Sequence, residues 1–220
     1  YAQGMAWKGA EIGRELEALL DKRGVKILTW IWQSGGIASR STGIVKPADT
    51  KGLKVRGGSR EMDQLLKAAG GIISSVPSNE IYAAMQTGSL DAAITSSTSL
   101  ISFRLQEISK NVTSGINGSF WFMMEPLLMS KAIFDALPAA QQKAIAEVGA
   151  EMEPFALEQA KADDKRLADI YAKAGVAVHE FDAAALDQWK AIARDTAWKD
   201  FAARNATCAG LLKLAEKIPA

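Results

Sequence analysis

Leu53-Lys54-Val55-Arg56-Gly57-Gly58-Ser59, then Ile72-Ile73-Ser74-Ser75-Val76, then Leu90-Asp91-Ala92-Ala93-Ile94-Thr95-Ser96, is the text that decides the fold. Each piece is a short apolar run that opens into Gly, Ser, Thr or Pro, as a strand entering a loop does. Between the first two, Met62, Leu65, Leu66 and Ala69 recur at helical spacing before Gly70-Gly71. Between the last two, Asn79 to Thr87 carries Ile81, Ala84 and Met85, with Ser78-Asn79-Glu80 as a start signal and Gly88 as a stop. Strand-helix-strand-helix-strand in about 40 residues is the pattern of parallel βαβ units, so the expected class is α/β.

Working outward toward the start, Trp7, Ile12, Leu16, Leu19 and Leu20 predict a helix over 6–23, stopped by Gly24. Val25 to Trp32 is β-branched and aromatic and predicts a strand that ends at Ser34-Gly35-Gly36; from there to Lys51 the text is polar and turn-rich. Toward the end, a helix is expected near 97–109, then a buried strand from Gly118 to Ser130. Pro126 inside that strand cannot donate to a ladder, so the strand should bend, lie at an edge or change partners there. A long helix follows from Pro138 to Ala174, with Ile145, Val148, Met152 and Phe155 on one face, Leu167, Ile170 and Tyr171 further on, and a kink expected at Pro154. A last strand over Val176 to Phe181 and helices over Ala183 to Arg204 and Thr207 to Lys217 complete the chain.

Composition removes several functions. The 220 residues are 48% hydrophobic and 23% charged, enough apolar text for a real core and too much for a disordered chain. With 26 basic against 25 acidic side chains and no basic run, the chain lacks the clustered Lys and Arg that phosphate neutralisation needs, and nucleic acid is not an expected partner. One Cys and one His leave no disulfide framework, no CxxC centre and no multi-histidine zinc site, although an oxygen-ligand site for a hard cation would need neither; no metal ligand is singled out and no cofactor is expected. No run approaches the roughly 18 apolar residues of a membrane helix. The chain opens on Tyr1 with no charged and apolar leader before it, which is the expectation for a sequence that starts downstream of its natural start codon.

Ligands in open α/β sheets bind outside the carboxyl ends of the strands. There the sequence places Arg56-Gly57-Gly58-Ser59, a guanidinium beside flexible backbone and a helix start, together with Ser74-Ser75 and the hydroxyl run from Thr95 to Ser99. A guanidinium and several hydroxyls are suited to anionic oxygens. The bland alternative is that Arg56 pairs with a surface carboxylate and that the hydroxyls cap helices. Catalytic sets are poorer. His179 follows a short alternating run as a strand-end or surface residue, Cys208 reads as a small packed residue, and Glu80 with Asp91 is as easily explained by a helix dipole. No GxSxG elbow or GKS/GKT loop is present.

Two blocks then acquire a joint meaning. Pro47-Ala48-Asp49-Thr50-Lys51-Gly52-Leu53-Lys54-Val55-Arg56 and Glu80-Ile81-Tyr82-Ala83-Ala84-Met85-Gln86-Thr87-Gly88-Ser89-Leu90-Asp91-Ala92 closely resemble the extracytoplasmic solute-binding subunits of TRAP transporters, the DctP family. Met129 to Pro138, followed by a long helix and Ala174-Gly175-Val176, continues the likeness in order. It runs from about residue 6 to the C-terminus.

The resemblance implies a two-lobed periplasmic binding protein of type II-like architecture, with inter-lobe strands and a long helix across both lobes. It implies capture of a small organic acid in an interlobe cleft, delivery to the membrane permease subunits of a TRAP transporter, and no chemistry on the ligand. The N-terminal lobe would be incomplete, because the family has a long stretch ahead of the segment matched by Trp7 to Leu20; a truncated form would expose apolar surface and could dimerise. On this reading residues 1–32 are the remnant of the N-terminal lobe, 33–117 the βαβ lobe with the anion site, 118–137 the return, 138–174 the spanning helix, and 175–220 the C-terminal strand and helices. The family's carboxylate-binding arginine falls on Arg56. Its asparagine position is Thr95 here, and Arg40 in Gly35-Gly36-Ile37-Ala38-Ser39-Arg40 is the loosely matched second cationic contact. Polar support is expected from Ser59, Thr95 and Ser96, and aromatic walls from Trp32, Tyr82, Phe120 or Trp121. A sensing or interaction module on the same fold is the second reading.

Overall fold

The computed structural model describes residues 1–219. The chain forms two compact units, one of residues 1–33, 123–160 and 204–220, the other of 34–122 and 161–203.

In the first unit, the amphipathic stretch predicted as one helix is two, α1 (Ala2–Gly9) and α2 (Glu11–Asp21). The break is at Ala10, whose backbone is extended, and Gly13 sits against the carbonyls of Trp7 and Lys8, where a Cβ would collide. Strand β1 (Val25–Thr29) pairs antiparallel with a late strand of the chain, Leu127–Ser130, Val25 opposite Ser130. Helix Lys131–Ala136, the first part of the long helix Ala139–Lys173 and the terminal helix Ala206–Glu216 belong to the same unit. A buried carboxylate organises it: Glu153 on the long helix accepts the Lys8 ammonium at 2.6 Å and the Trp30 N–H at 3.2 Å. Its apolar surface is only partly covered. Leu28, Thr29, Leu127, Ile145, Val148 and Met152 border a recess of 310 Å³, and Val148, Met152 and Phe155 are exposed in a stripe down the helix.

The second unit is built on a sheet whose strands run in the order β4-β3-β5-β2-β6-β9. These are β2 (Trp32–Ser39), β3 (Lys54–Arg56), β4 (Ile72–Ile73), β5 (Ala92–Ser96), β6 (Asn111–Ser114) and β9 (Ala177–Glu180). The expected parallel block is present, with β3 parallel to β4 and β5, while β2 runs antiparallel between β5 and β6. Helices α3 (Arg60–Ala68), α4 (Ile81–Thr87) and α5 (Ser97–Ser102) follow β3, β4 and β5. The stretch 118–130 divides at Pro126 into β7 (Phe122–Met124) and β8 (Leu127–Ser130), and β8 takes β1 as its partner. The remaining helices are α6 (Lys131–Ala136), α7 (Ala139–Lys173), α8 (Ala183–Asp195), α9 (Ala197–Ala203) and α10 (Ala206–Glu216).

Two strands were not expected, β6 and β2. Gly35 and Gly36 lie inside β2, where Gly35 stands opposite Ser96 and Gly36 opposite Thr95. A Cβ at Gly35 would strike the Thr95 carbonyl and the Trp121 ring, and one at Gly36 the Thr113 carbonyl. The glycines that look like a loop are therefore the places where neighbouring backbone and an aromatic ring come closest.

Alternation along the strands sorts the core into two faces. Ala38, Ala93 and Val112 pack with Ile81 and Met85 of α4, Leu100 of α5, and Leu167 and Tyr171 of α7. Ile37, Val55, Ala92 and Ile94 pack with Leu65 and Leu66 of α3, Trp121, Phe181 and Trp189. Full burial of side chains such as Leu100, Leu167 and Ile94 is worth about 1.5–3 kcal/mol each. The sheet is thus covered on both sides, and its strand ends are fixed in place.

Candidate functional site

Arg56 ends β3 beside Ala93 of β5. Side chains two apart on a strand share a face, so Arg56, Ala93 and Thr95 lie on the same side of the sheet, the side of the α4, α5 and α7 core. The Arg56 side chain does not pair with a surface carboxylate. It lies across the strand ends, its Nε donating to the Val76 carbonyl at 3.2 Å and its Nη1 to the Ile94 carbonyl at 3.2 Å. These bonds leave Nη2 and the outer part of the planar fork for an anion, the geometry that suits a carboxylate.

The local sequence explains how the fork is held. Gly58 has φ +87°, a backbone conformation that other residues rarely adopt, and a Cβ there would stand 2.6 Å from Arg56 Nη1 and displace the guanidinium. Ser59 caps α3, accepting the Met62 N–H at 3.2 Å. One turn on, Asp63 accepts the Gly57 N–H at 3.2 Å. Burial pulls the Arg56 guanidinium below its ordinary value, against the opposing charge of Asp63. Burial likewise raises the Asp63 carboxyl, while the Gly57 N–H and Arg56 act in the other direction. Arg56 is thus a half-buried cation within electrostatic reach of the Asp63 carboxylate.

Thr95 and Ser96 are both buried at the end of β5. Ser96 caps α5, accepting the Ser99 N–H at 3.2 Å and donating to the Ser99 hydroxyl at 2.9 Å. Its side chain faces away from that of Thr95 by strand alternation. Arg56 and Thr95 therefore share a sheet face, while Ser59 and Ser96 are engaged as helix caps.

Other expected contacts lie elsewhere. Arg40 turns to the amino end of β5: its N–H donates to the Asp91 carbonyl at 3.0 Å, and its Nη1 is 4.0 Å from the Asp91 carboxylate. Arg56 reaches the other way, to Ile94, so the two guanidiniums are not brought to one point. Tyr82 gives its hydroxyl to Glu107 at 3.0 Å. Phe120 stacks on Trp189 at 4.1 Å and meets Phe181 edge-on at 5.3 Å, and Trp121 is 6% exposed within the same core, so both are packing residues in this unit. Trp32 belongs to the first unit, edge-on to Trp7 at 5.2 Å. His179 meets Asn111 at 2.9 Å on the sheet edge.

Two acids escaped the sequence reading. Asp63 is four residues past the capping Ser59, on the same helix face, and that spacing was its signal. Asp164 sits one turn before Leu167 on an apolar stripe of α7, an acid where the pattern calls for a hydrophobe. Among the described residues no cluster of three His, Cys, Asp or Glu side chains could hold a metal ion, and no helix is long and apolar enough to cross a membrane.

The comparisons with known proteins give the family. Residues 2–205 match the family of bacterial extracellular solute-binding proteins, family 7, DctP. The chain belongs to that family. A solute-binding protein of Albidiferax ferrireducens is 55% identical over 217 residues, 99% of this chain and 64% of that protein. The C4-dicarboxylate-binding periplasmic protein DctP of Rhodobacter capsulatus is 25% identical over 185 residues, 83% of this chain and 54% of that protein. Among solved structures, a TRAP periplasmic solute-binding protein from Rhodoferax ferrireducens with bound malonate superposes with a TM-score of 0.96 at 55% identity, covering 99% of this chain and 69% of that one. The chain thus spans just under two thirds of the length of the Albidiferax relative.

Proposed function

We propose that the protein captures a small organic acid through its carboxylate, with Arg56 as the anchor and Thr95 as the adjoining hydrogen-bonding group, and passes it unchanged to the membrane subunits of a TRAP transporter in the periplasm. The observation that carries this reading is the Arg56 fork, held by the Val76 and Ile94 carbonyls on the same sheet face as Thr95. Malonate in the Rhodoferax structure and C4-dicarboxylates in the name of the Rhodobacter relative support a short dicarboxylate as the ligand class. No nucleophile, base and acid are assembled around Arg56, which favours capture over turnover. Ser59 and Ser96 contribute as caps that hold the ligand-facing turns.

The experiment is a thermal-shift panel of mono- and dicarboxylates and sugar acids, followed by mass spectrometry of the recovered acid. A binder at about 100 times its dissociation constant adds about 2.7 kcal/mol, roughly 5–11 °C for a chain of this size. A shift of that order with the acid recovered intact is the expected result. No shift with any acid, or recovery of a converted product, overturns the proposal.

A further inference from the structure

Asp164 is 2% exposed on α7, and its Oδ1 accepts the Ser97 hydroxyl at 2.5 Å; Ser97 is equally buried. Beside this pair, Thr98 donates to Asp163 at 3.0 Å, and Asp163 also holds Arg166 at 3.1 Å. Further along the helix the Tyr171 hydroxyl donates to the Leu100 carbonyl at 3.0 Å. Asp164, Leu167 and Tyr171 follow the i, i+3, i+7 spacing of one helix face, and Leu167 and Tyr171 are fully buried in the core on the Arg56 and Thr95 side of the sheet. A carboxylate in that stripe is costly unless it is hydrogen-bonded, and the Ser97 hydroxyl supplies such a bond.

Ser97 directly follows the two hydroxyl residues that end β5. The four residues Ile94 to Ser97 are therefore held at both ends, by Arg56 on the Ile94 carbonyl at 3.2 Å and by Asp164 on the Ser97 hydroxyl at 2.5 Å. We infer that Asp164 is a positioning residue for ligand capture: its bond to Ser97 fixes Thr95 and Ser96 in place relative to the Arg56 guanidinium, so that an arriving carboxylate meets a preset spacing. This rests on the carboxylate reading given above. Preorganisation of this kind lowers the ordering cost of binding.

The test compares wild type with Asp164→Ala, Asp164→Asn, Ser97→Ala and the Ala double variant, using malonate as the probe in calorimetry well below each melting temperature. A substitution that only weakens the fold lowers the melting temperature and leaves the affinity of the folded protein unchanged. The positioning role predicts about tenfold weaker malonate binding for Asp164→Ala and for Ser97→Ala, no further loss in the double variant, and recovery in Asp164→Asn, whose amide oxygen still accepts from Ser97. Equal affinity in wild type and Asp164→Ala overturns it. Amide exchange of the segment 92–102 decides the structural half without any ligand: it should quicken in Asp164→Ala and stay slow in a core variant of matched stability, Ile81→Val. Unchanged exchange overturns the inference even if malonate is not bound; quickened exchange with no binding by wild type overturns the carboxylate reading and its role for Asp164 in capture, while the clamp on β5 stands.

Discussion

Arg56 Nη1 donates to the carbonyl of Ile94 at 3.2 Å, so the charged end of one strand is fixed to the backbone of its parallel neighbour one residue before Thr95. A free arginine on a strand end would sample many rotamers and lose that freedom on meeting an anion. Here much of that loss is already met in folding, through the bonds to the Val76 and Ile94 carbonyls.

Gly58 should be the least replaceable residue of the turn. Ala at this position meets both a left-handed backbone, costing about 1–2 kcal/mol, and the Arg56 fork 2.6 Å from its Cβ. Gly58→Ala is expected to lower the melting temperature and to weaken carboxylate binding together, measured by calorimetry on the purified variant.

On the proposed reading, Asp63 competes with the ligand carboxylate for the charge of Arg56. Burial raises its carboxyl above the ordinary 3.8, so the folded state holds the proton more tightly than the unfolded one. Stability therefore falls as pH rises from about the unfolded value through the raised folded value. Asp63→Asn should flatten that part of a pH–melting profile. Where the wild-type carboxyl is ionised, it should also tighten binding of a dicarboxylate, read by titration across pH.

Thr95 separates recognition from stability. Thr95→Val removes one hydroxyl at nearly constant volume, and the expected result is a melting temperature within a few degrees of wild type with carboxylate affinity reduced by up to about tenfold. Unchanged affinity would remove Thr95 from the site.

Glu153 tests the other unit. In Glu153→Ala the buried Trp30 N–H and the Lys8 ammonium lose their common acceptor, which should cost about 1–3 kcal/mol in denaturant unfolding.

The βαβ block was legible because local text carries it: apolar runs ending in Gly and Ser, with helices capped by Ser59 and closed by Gly88. The position of Arg56 and Thr95 at the ends of β3 and β5 was legible for the same reason. Strand β2 was hidden because Gly35 and Gly36 have low strand propensity, and only neighbours distant in sequence, Thr95, Thr113 and Trp121, explain them. Arg40 was placed by a loose motif without a register; pairing of Ser39 with Ala92 sends it to Asp91 instead. Phe120 and Trp121, read as possible walls, pack in the core of their unit, and aromatic text alone does not distinguish a cleft from a core. The Asp164 to Ser97 bond spans 67 positions and leaves no local pattern beyond an acid on an apolar helix face.

The most direct test of the central claim is a malonate titration of wild type and Arg56→Ala by calorimetry, with circular dichroism to establish that both are folded. The account predicts saturable binding by wild type and none by a folded Arg56→Ala. Equal binding by the two proteins would contradict it and place the anion elsewhere.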